Sequence, residues 1–324
     1  MKHGLSRREA IKITGLAGIA GILGPGAAGA LAVRPEHKRA LRVAHLTDIH
    51  VEPEHRAGEG MAPAFRHANE LADKPDLIIT GGDHVFDSFE ADEARTRLQW
   101  DVFAKNLADS NRLPVLSCLG NHDCWGWNKK HSKTTGQEPD WGKKRSLDQL
   151  RMPGRYYSAD RGGWHLTFLD SIQPEGDGYR GGLDEEQFEW LKGDLASVKA
   201  GTPIMVISHI PILAVCTLFF GKDDGKGLKV SPGLMHTDNR RIKDLFLKHP
   251  GVKLCISGHI HLVDRCEYDG VTYLCNGAVS GNWWKGRHQE TDEGYALIDL
   301  YDDGSFESRY QTYGWKAEPE KKKA

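Results

Sequence analysis

Five short polar clusters in this 324-residue chain gather carboxylate, imidazole and amide groups: Asp48-Ile49-His50, Gly82-Asp83, Gly120-Asn121-His122-Asp123, His209, and Gly258-His259-Ile260-His261. Oxygen and nitrogen donors without thiolate suit manganese, iron, zinc or cobalt in a reactive site rather than a structural zinc. A carboxylate such as Asp83 can bridge two cations about 3.5–4 Å apart, the separation used in two-metal hydrolysis. Taken singly each cluster is a weak signal, since an Asp-x-His pair or a histidine after a strand is common. Their shared position in the chain is the strong one.

Each cluster directly follows an apolar, β-branched run. Strands are predicted at 41–46, 76–80, 114–118, 164–169, 203–208 and 252–257, with helices near 61–73, 91–108, 184–199 and 238–248. Hairpins are predicted over 262–276 and 294–312. Alternating strands and helices predict an α/β fold. In open α/β sheets the carboxyl ends of the strands line the ligand crevice, so the clusters converge in space although they span more than 200 residues.

Composition removes other classes. A formal charge of −2, 39% hydrophobic and 27% charged residues, and nine Trp exclude a disordered or low-complexity chain. No uninterrupted apolar stretch fits a membrane bundle, and the near-neutral balance argues against a dedicated nucleic-acid binder. Neither a stable nucleic-acid partner nor a membrane partner is therefore expected. Residues 1–32 read as an address: a basic start at Lys2, Arg7, Arg8 and Lys12, a mild apolar run from Ile13, and Ala30-Leu31-Ala32 as a cleavage site. Ser6-Arg7-Arg8-Glu9-Ala10-Ile11-Lys12 resembles the twin-arginine export signal, with Ala10 where that pattern prefers Phe. This implies a periplasmic or secreted protein that meets the twin-arginine translocase during export; an ordinary secretory signal is the alternative. The chain then divides into a signal peptide (1–32), one domain (33–315) and a charged tail (316–324). The six cysteines lie mostly in apolar runs and read as free buried thiols rather than a disulfide framework.

The ordered series Asp48-x-His50, Gly82-Asp83, Gly120-Asn121-His122-Asp123, His209 and Gly258-His259-x-His261 resembles the calcineurin-like metallophosphoesterases. The resemblance implies a four-layer α/β/β/α sandwich with a dinuclear metal site at one edge. Carried over by position, Asp48, His50, Asp83 and His261 hold one metal, and Asp83, Asn121, His209 and His259 the second, the ions being divalent or trivalent Mn, Fe or Zn. His122 then faces the substrate, with Asp123 as its orienting partner. Phe86 stands where the purple acid phosphatases carry the tyrosine that binds ferric iron, so the chain is more similar to the cyclic-nucleotide phosphodiesterase-like branch. The reaction implied is hydrolysis of a small-molecule phosphate ester, a phosphodiester first, by in-line attack of a hydroxide bridging both ions. The alternatives are a phosphomonoesterase or nucleotidase with the same metals, and, more remotely, a scaffold that kept the fold without the chemistry.

Other residues are read more plainly. His45 is expected in the core, His84 beside the metal ligands, and Asp170 as a loop cap; Asp184-Glu185-Glu186 suit a helix start. Residues 124–150 and 212–237 are long insertions beside the clusters, placed to wall the site or only to elaborate the surface. In Gly281-Asn282-Trp283-Trp284-Lys285-Gly286-Arg287, alternation along an extended backbone sends the two indoles to opposite sides. Trp284 is expected to face the cleft and stack on a planar leaving group, with Lys285 or Arg287 meeting phosphate; the alternative is that both indoles clamp the loop onto the sandwich, a role that suits Trp283 slightly better than Trp284.

Overall fold

The apolar run Arg39–Leu46 becomes the central strand of a five-stranded sheet in the computed structural model, which describes residues 37–318. Across that sheet the order is Phe306–Thr312, Gly294–Tyr301, Arg39–Leu46, Leu77–Thr80 and Val115–Ser117. The last three strands are mutually parallel, and the 294–312 hairpin adds antiparallel to Arg39–Leu46. A second sheet runs Asp264–Tyr268, Val271–Cys275, Val252–Ser257, Ile204–Ile207, Trp164–Phe168 and Tyr157–Arg161. Its four inner strands are parallel and its two edge strands antiparallel.

Three apolar interfaces stack these layers into an α/β/β/α sandwich. Helix Ala57–Glu70 turns Ala57, Met61, Ala64, Phe65 and Ala68 onto Ala44, Leu46 and Ile78 of the first sheet, with Trp100 and Phe103 of helix Glu93–Ser110 beside them. That spacing is one face of a 3.6-residue period. The opposite pleat of the same strands, Leu41, Val43, Leu77 and Ile79, meets Leu166, Phe168, Met205, Ile207, Leu254 and Ile256 of the second sheet. On the far side Phe188, Leu191 and Leu195 of helix Glu185–Ser197 and Ile242, Leu245 and Phe246 of helix Asn239–Phe246 cover Val206 and Val252. Strands buried on both faces explain why these runs are continuously apolar rather than alternating.

Helix starts follow their caps. Asp92 accepts the Arg95 N–H at 3.0 Å and Asp184 the Gln187 N–H at 2.9 Å, so the acidic run at 184–186 opens a helix as its sequence suggests. The first helix begins at Ala57 rather than near 61: Arg56, at φ 55°, makes a left-handed entry, and Pro63 is carried inside the helix. All six cysteines are free thiols, and Cys266 pairs in register with Tyr273 across the 264–275 hairpin. The segment 1–32, expected as an export signal, lies outside the described residues, as does the end of the tail beyond residue 318.

Candidate metal centre

Parallel strands in both sheets bring their carboxyl ends to one edge of the sandwich, where all five polar clusters meet. Asp48 and His50 follow Arg39–Leu46, Asp83 follows Leu77–Thr80, and Asn121 and His122 follow Val115–Ser117. His209 follows Ile204–Ile207 across the sandwich, and His259 and His261 follow Val252–Ser257. Five of the seven candidate ligands sit in the left-handed region: Asp48 at φ 55°, His50 at 46°, Asp83 at 52°, His259 at 72° and His261 at 60°. Non-glycine residues rarely adopt it, and strain of this kind collects where function over-determines the backbone.

Three overlapping groups of donors result at this edge, each with its atoms within 4.8 Å of one another: Asp48, His50 and His261; Asp83, His209 and His259; and, between them, His50, Asp83 and His122. Asp83 joins them, its Oδ2 lying 3.6 Å from His50 Nε2 and 3.2 Å from His209 Nε2. In the first group His50 Nε2 is 3.1 Å from His261 Nε2, which is 3.3 Å from Asp48 Oδ1. In the second, His209 Nε2 is 3.2 Å from both Asn121 Oδ1 and His259 Nδ1.

Backbone carbonyls set the ring tautomers. His209 Nδ1 donates to Gly81 O at 2.8 Å, His259 Nε2 to Gly233 O at 2.9 Å, and His261 Nδ1 to Gly281 O at 2.6 Å. Each ring therefore aims its other nitrogen at the neighbouring rings and at carboxylate oxygens. Acceptors facing acceptors at such distances are stable only around positive charge, so the donor set fits two cations. Burial opposes a charge on His209, yet Asp83 and Asp48 outweigh it and push the imidazole up to about 9, so the carboxylates draw positive charge to Nε2, a proton whose place a cation would take. Burial drives His259 down to about 3 and His50 well below its ordinary value, leaving both as neutral ligands.

The framework around the donors is tight. Asp48 accepts the His259 N–H at 2.9 Å through Oδ2 and the Thr47 hydroxyl at 2.6 Å. A Cβ on Gly258 would overlap this carboxylate, so the chain there must be glycine to come so close. Asp83 Oδ1 accepts the His122 N–H at 2.8 Å.

Several expectations are redistributed by the geometry. Asp123 does not orient His122. The short 3₁₀ turn Asn121–Asp123 folds its carboxylate back to accept the N–H groups of Gly120, Asp83 and His84 and to bond His84 Nδ1 at 2.9 Å. The carboxylate beside His122 is that of Asp87, 3.4 Å from Nδ1, a charge contact just beyond hydrogen-bond length. Burial opposes the imidazolium of His122, but the charges of Asp83 and Asp87 prevail and hold it above its ordinary value. His84 supports the loop from behind, its Nε2 2.8 Å from Thr80 Oγ1. His45 is a core residue that takes the Asn276 amide at 2.7 Å, and burial lowers it to about 4. Asp170 caps the Ile172 N–H and also binds Lys143 at 2.6 Å, which pins the 124–150 insertion to the domain.

The tryptophan pair is reversed from expectation. Trp284 is 2% exposed, packs into the first core with Trp315 and donates Nε1 to His50 O at 2.9 Å. Trp283 lies against the candidate ligands, its ring centroid 3.8 Å from that of His50. Alternation fails because both residues are left-handed, φ 55° and 66°, rather than extended. Lys285 and Arg287 are exposed, and Arg287 lies 3.6 Å from Asp292. Tyr179, unremarked in the sequence, closes the opposite side, edge-on to His259 at 6.2 Å. The signal for Asp87 was only its place four residues after Asp83; for Tyr179 there was none.

The calcineurin-like phosphoesterase family matches residues 41–263. The chain is 26% identical to a 3',5'-cyclic-nucleotide phosphodiesterase of Nostoc sp., covering 85% of this chain and 93% of that one. It is 26% identical, over 64% of each chain, to a probable glycerophosphodiester phosphodiesterase of Arcobacter nitrofigilis. Its fold superposes on a dimetal phosphatase from Danio rerio with a TM-score of 0.59 at 13% identity, covering 85% of this chain and 97% of that one. With well over half its length inside the family's boundaries, the chain belongs to the calcineurin-like phosphoesterases, metal-dependent hydrolases of phosphoric esters.

Proposed function

We propose that this protein is an exported phosphodiesterase of small-molecule substrates with a dinuclear metal site. Asp48, His50, Asp83 and His261 hold one ion and Asp83, Asn121, His209 and His259 the other. The observation that carries this reading is the set of ring nitrogens and carboxylate oxygens converging on two points that share Asp83. The bound ions, Mn, Fe or Zn, supply a water of lowered pKa and offset charge on the phosphoryl oxygens.

The chain's own residues complete the reaction. His122, 23% exposed at the edge of the cluster and with its pKa raised by Asp83 and Asp87, delivers a proton to the leaving oxygen. Asp123 holds the loop that carries Asp83. Diester preference is supported by the charge inventory. Among the described residues, the hydrogen-bond and ion-pair partners of the candidate ligands are His, Asp, Asn, Thr, Ser, Trp or backbone groups, with no Lys or Arg. A dianionic monoester calls for more neutralisation than a monoanionic diester. The similarity to a cyclic-nucleotide phosphodiesterase points the same way.

Export rests on Ser6-Arg7-Arg8-Glu9-Ala10-Ile11-Lys12 and the Ala30-Leu31-Ala32 site. Replacing Arg7 and Arg8 by Lys should trap the precursor in the cytoplasm; normal accumulation outside it would remove the twin-arginine route. For the reaction, mature protein reconstituted with Mn, Fe or Zn in turn is assayed against paired mono- and diesters. Turnover of the diesters at higher kcat/KM is expected, and a clear monoester preference would make the phosphomonoesterase alternative the better reading.

A further inference from the structure

Trp283 has the position of a substrate contact and the environment of neither a core residue nor a surface one. Its ring is tilted 33° to His50 and 31° to His261, so one face lies along the candidate ligands of the first metal. It meets His122 at 4.9 Å and Phe86 at 5.2 Å edge-to-face, at 73° and 69°. It is half-buried, and among the described residues its Nε1 makes no hydrogen bond, whereas the neighbouring Trp284 is sealed in the core with its Nε1 on His50 O.

The loop is built to hold this ring still. Trp284 fits where Gly60 lacks a Cβ, Ser280 O accepts the Trp284 N–H at 2.8 Å, and His261 bonds Gly281 O, so the turn is tied to the metal cluster on both sides. Trp283 and Trp284 both keep a left-handed backbone that bulky residues avoid. The indole thus stands fixed beside the group that meets the leaving oxygen, and whatever the ester carries there passes over it.

We propose that Trp283 is a stacking platform selecting phosphoesters with a planar aromatic group, an aryl ring or a nucleobase, next to the phosphorus. The proposal rests on the phosphoesterase reading for the identity of the ligand, and its specificity claim goes beyond it. Base–aromatic stacking of this kind changes affinity by about 5- to 150-fold.

The test is calorimetric binding to metal-reconstituted protein, with non-hydrolysable probes in two pairs. Phenylphosphonate against methylphosphonate reports an aryl ring. The methylenephosphonate analogues of adenosine 5'-phosphate and of ribose 5-phosphate report a nucleobase. Wild type should favour the aromatic member of at least one pair by about 5-fold or more, and that pair names the source. Trp283→Leu should erase the preference while leaving affinity for the non-aromatic members and metal content unchanged, and Trp283→Phe should restore part of it. If Trp283→Leu does not retain metal, Trp283→Phe carries the test, by a reduced preference at unchanged methylphosphonate affinity. No preference in wild type, or an equal loss for all four probes, overturns the platform and leaves Trp283 as packing for His50. Turnover of esters without any aromatic preference would defeat this proposal alone; preference without turnover of any ester would defeat the phosphoesterase reading alone.

Discussion

His122 Nδ1 lies 3.4 Å from Asp87 Oδ1, and the same oxygen accepts the Phe89 N–H at 2.7 Å. Gln99 fixes the backbone of Asp87 on both sides, accepting its N–H and donating to its carbonyl, each at 2.8 Å. A charge so braced steadies the imidazolium. Asp87→Asn should lower kcat roughly 10-fold, the lower range for residues that act through another, at unchanged metal content. Because Asp87 helps raise the His122 pKa, the alkaline loss of activity should also set in at lower pH in the variant. A pH–rate profile superimposable on wild type would show that Asp87 does not act through His122.

Metal binding and proton delivery should separate cleanly. Asp83→Asn should deplete both ions, since this carboxylate faces both donor groups. Gly258→Ala should weaken the first site by pushing the Asp48 carboxylate aside. His122→Ala should keep both ions and lose roughly two to four orders of magnitude in turnover, less for esters of acidic leaving groups. Elemental analysis with matched kinetics decides; two tightly held ions in Asp83→Asn would end its bridging role.

The strand-end clusters were legible because each polar triplet follows an apolar run, and parallel strands must place those ends together. The α/β/β/α layering was legible through the family resemblance. What escaped was side-chain direction at tight turns. Asp123 follows His122 directly, yet the 3₁₀ turn caps Gly120 with it and aims it away. Alternation assigned Trp283 and Trp284 on the premise of extended backbone, and positive φ at both residues reversed them. The carbonyls of Gly81, Gly233 and Gly281 that set the histidine tautomers carry no side-chain signature at all.

Away from the metal edge, His165 bridges Asp194 at 3.1 Å and Asp160 at 2.7 Å, and its pKa is raised, first by the hydrogen bond to Asp194. Burial opposes charge on Asp194, but His165 and Ser158 outweigh it and hold its pKa low. A raised histidine pKa contributes stability that is fully present below the unfolded value, near 6.5, and is lost as pH rises through the folded value. The Asp194 contribution fails only on acidification through its own lowered pKa. The melting-temperature advantage of wild type over His165→Gln should therefore be larger near pH 6 than near pH 9. An advantage that grows with pH would contradict the assignment.

Trp284 should behave as a structural residue of the metal loop, in contrast to its neighbour. It fills the first core beside Met61 and Trp315, and its Nε1 bond to His50 O ties that core to a candidate ligand. Trp284→Ala should cost about 3–5 kcal/mol of stability, the usual range for emptying a buried aromatic site. Trp284→Phe keeps most of the volume and loses the bond, about 1 kcal/mol. Both variants should lower affinity for the ion held by His50, because the loop that positions its carbonyl is loosened. Thermal unfolding with and without metal measures this: the metal-induced rise in melting temperature should shrink in both. Trp284→Ala that melts as wild type, or that alters only the discrimination between aromatic and aliphatic esters, would return the stacking role to Trp284.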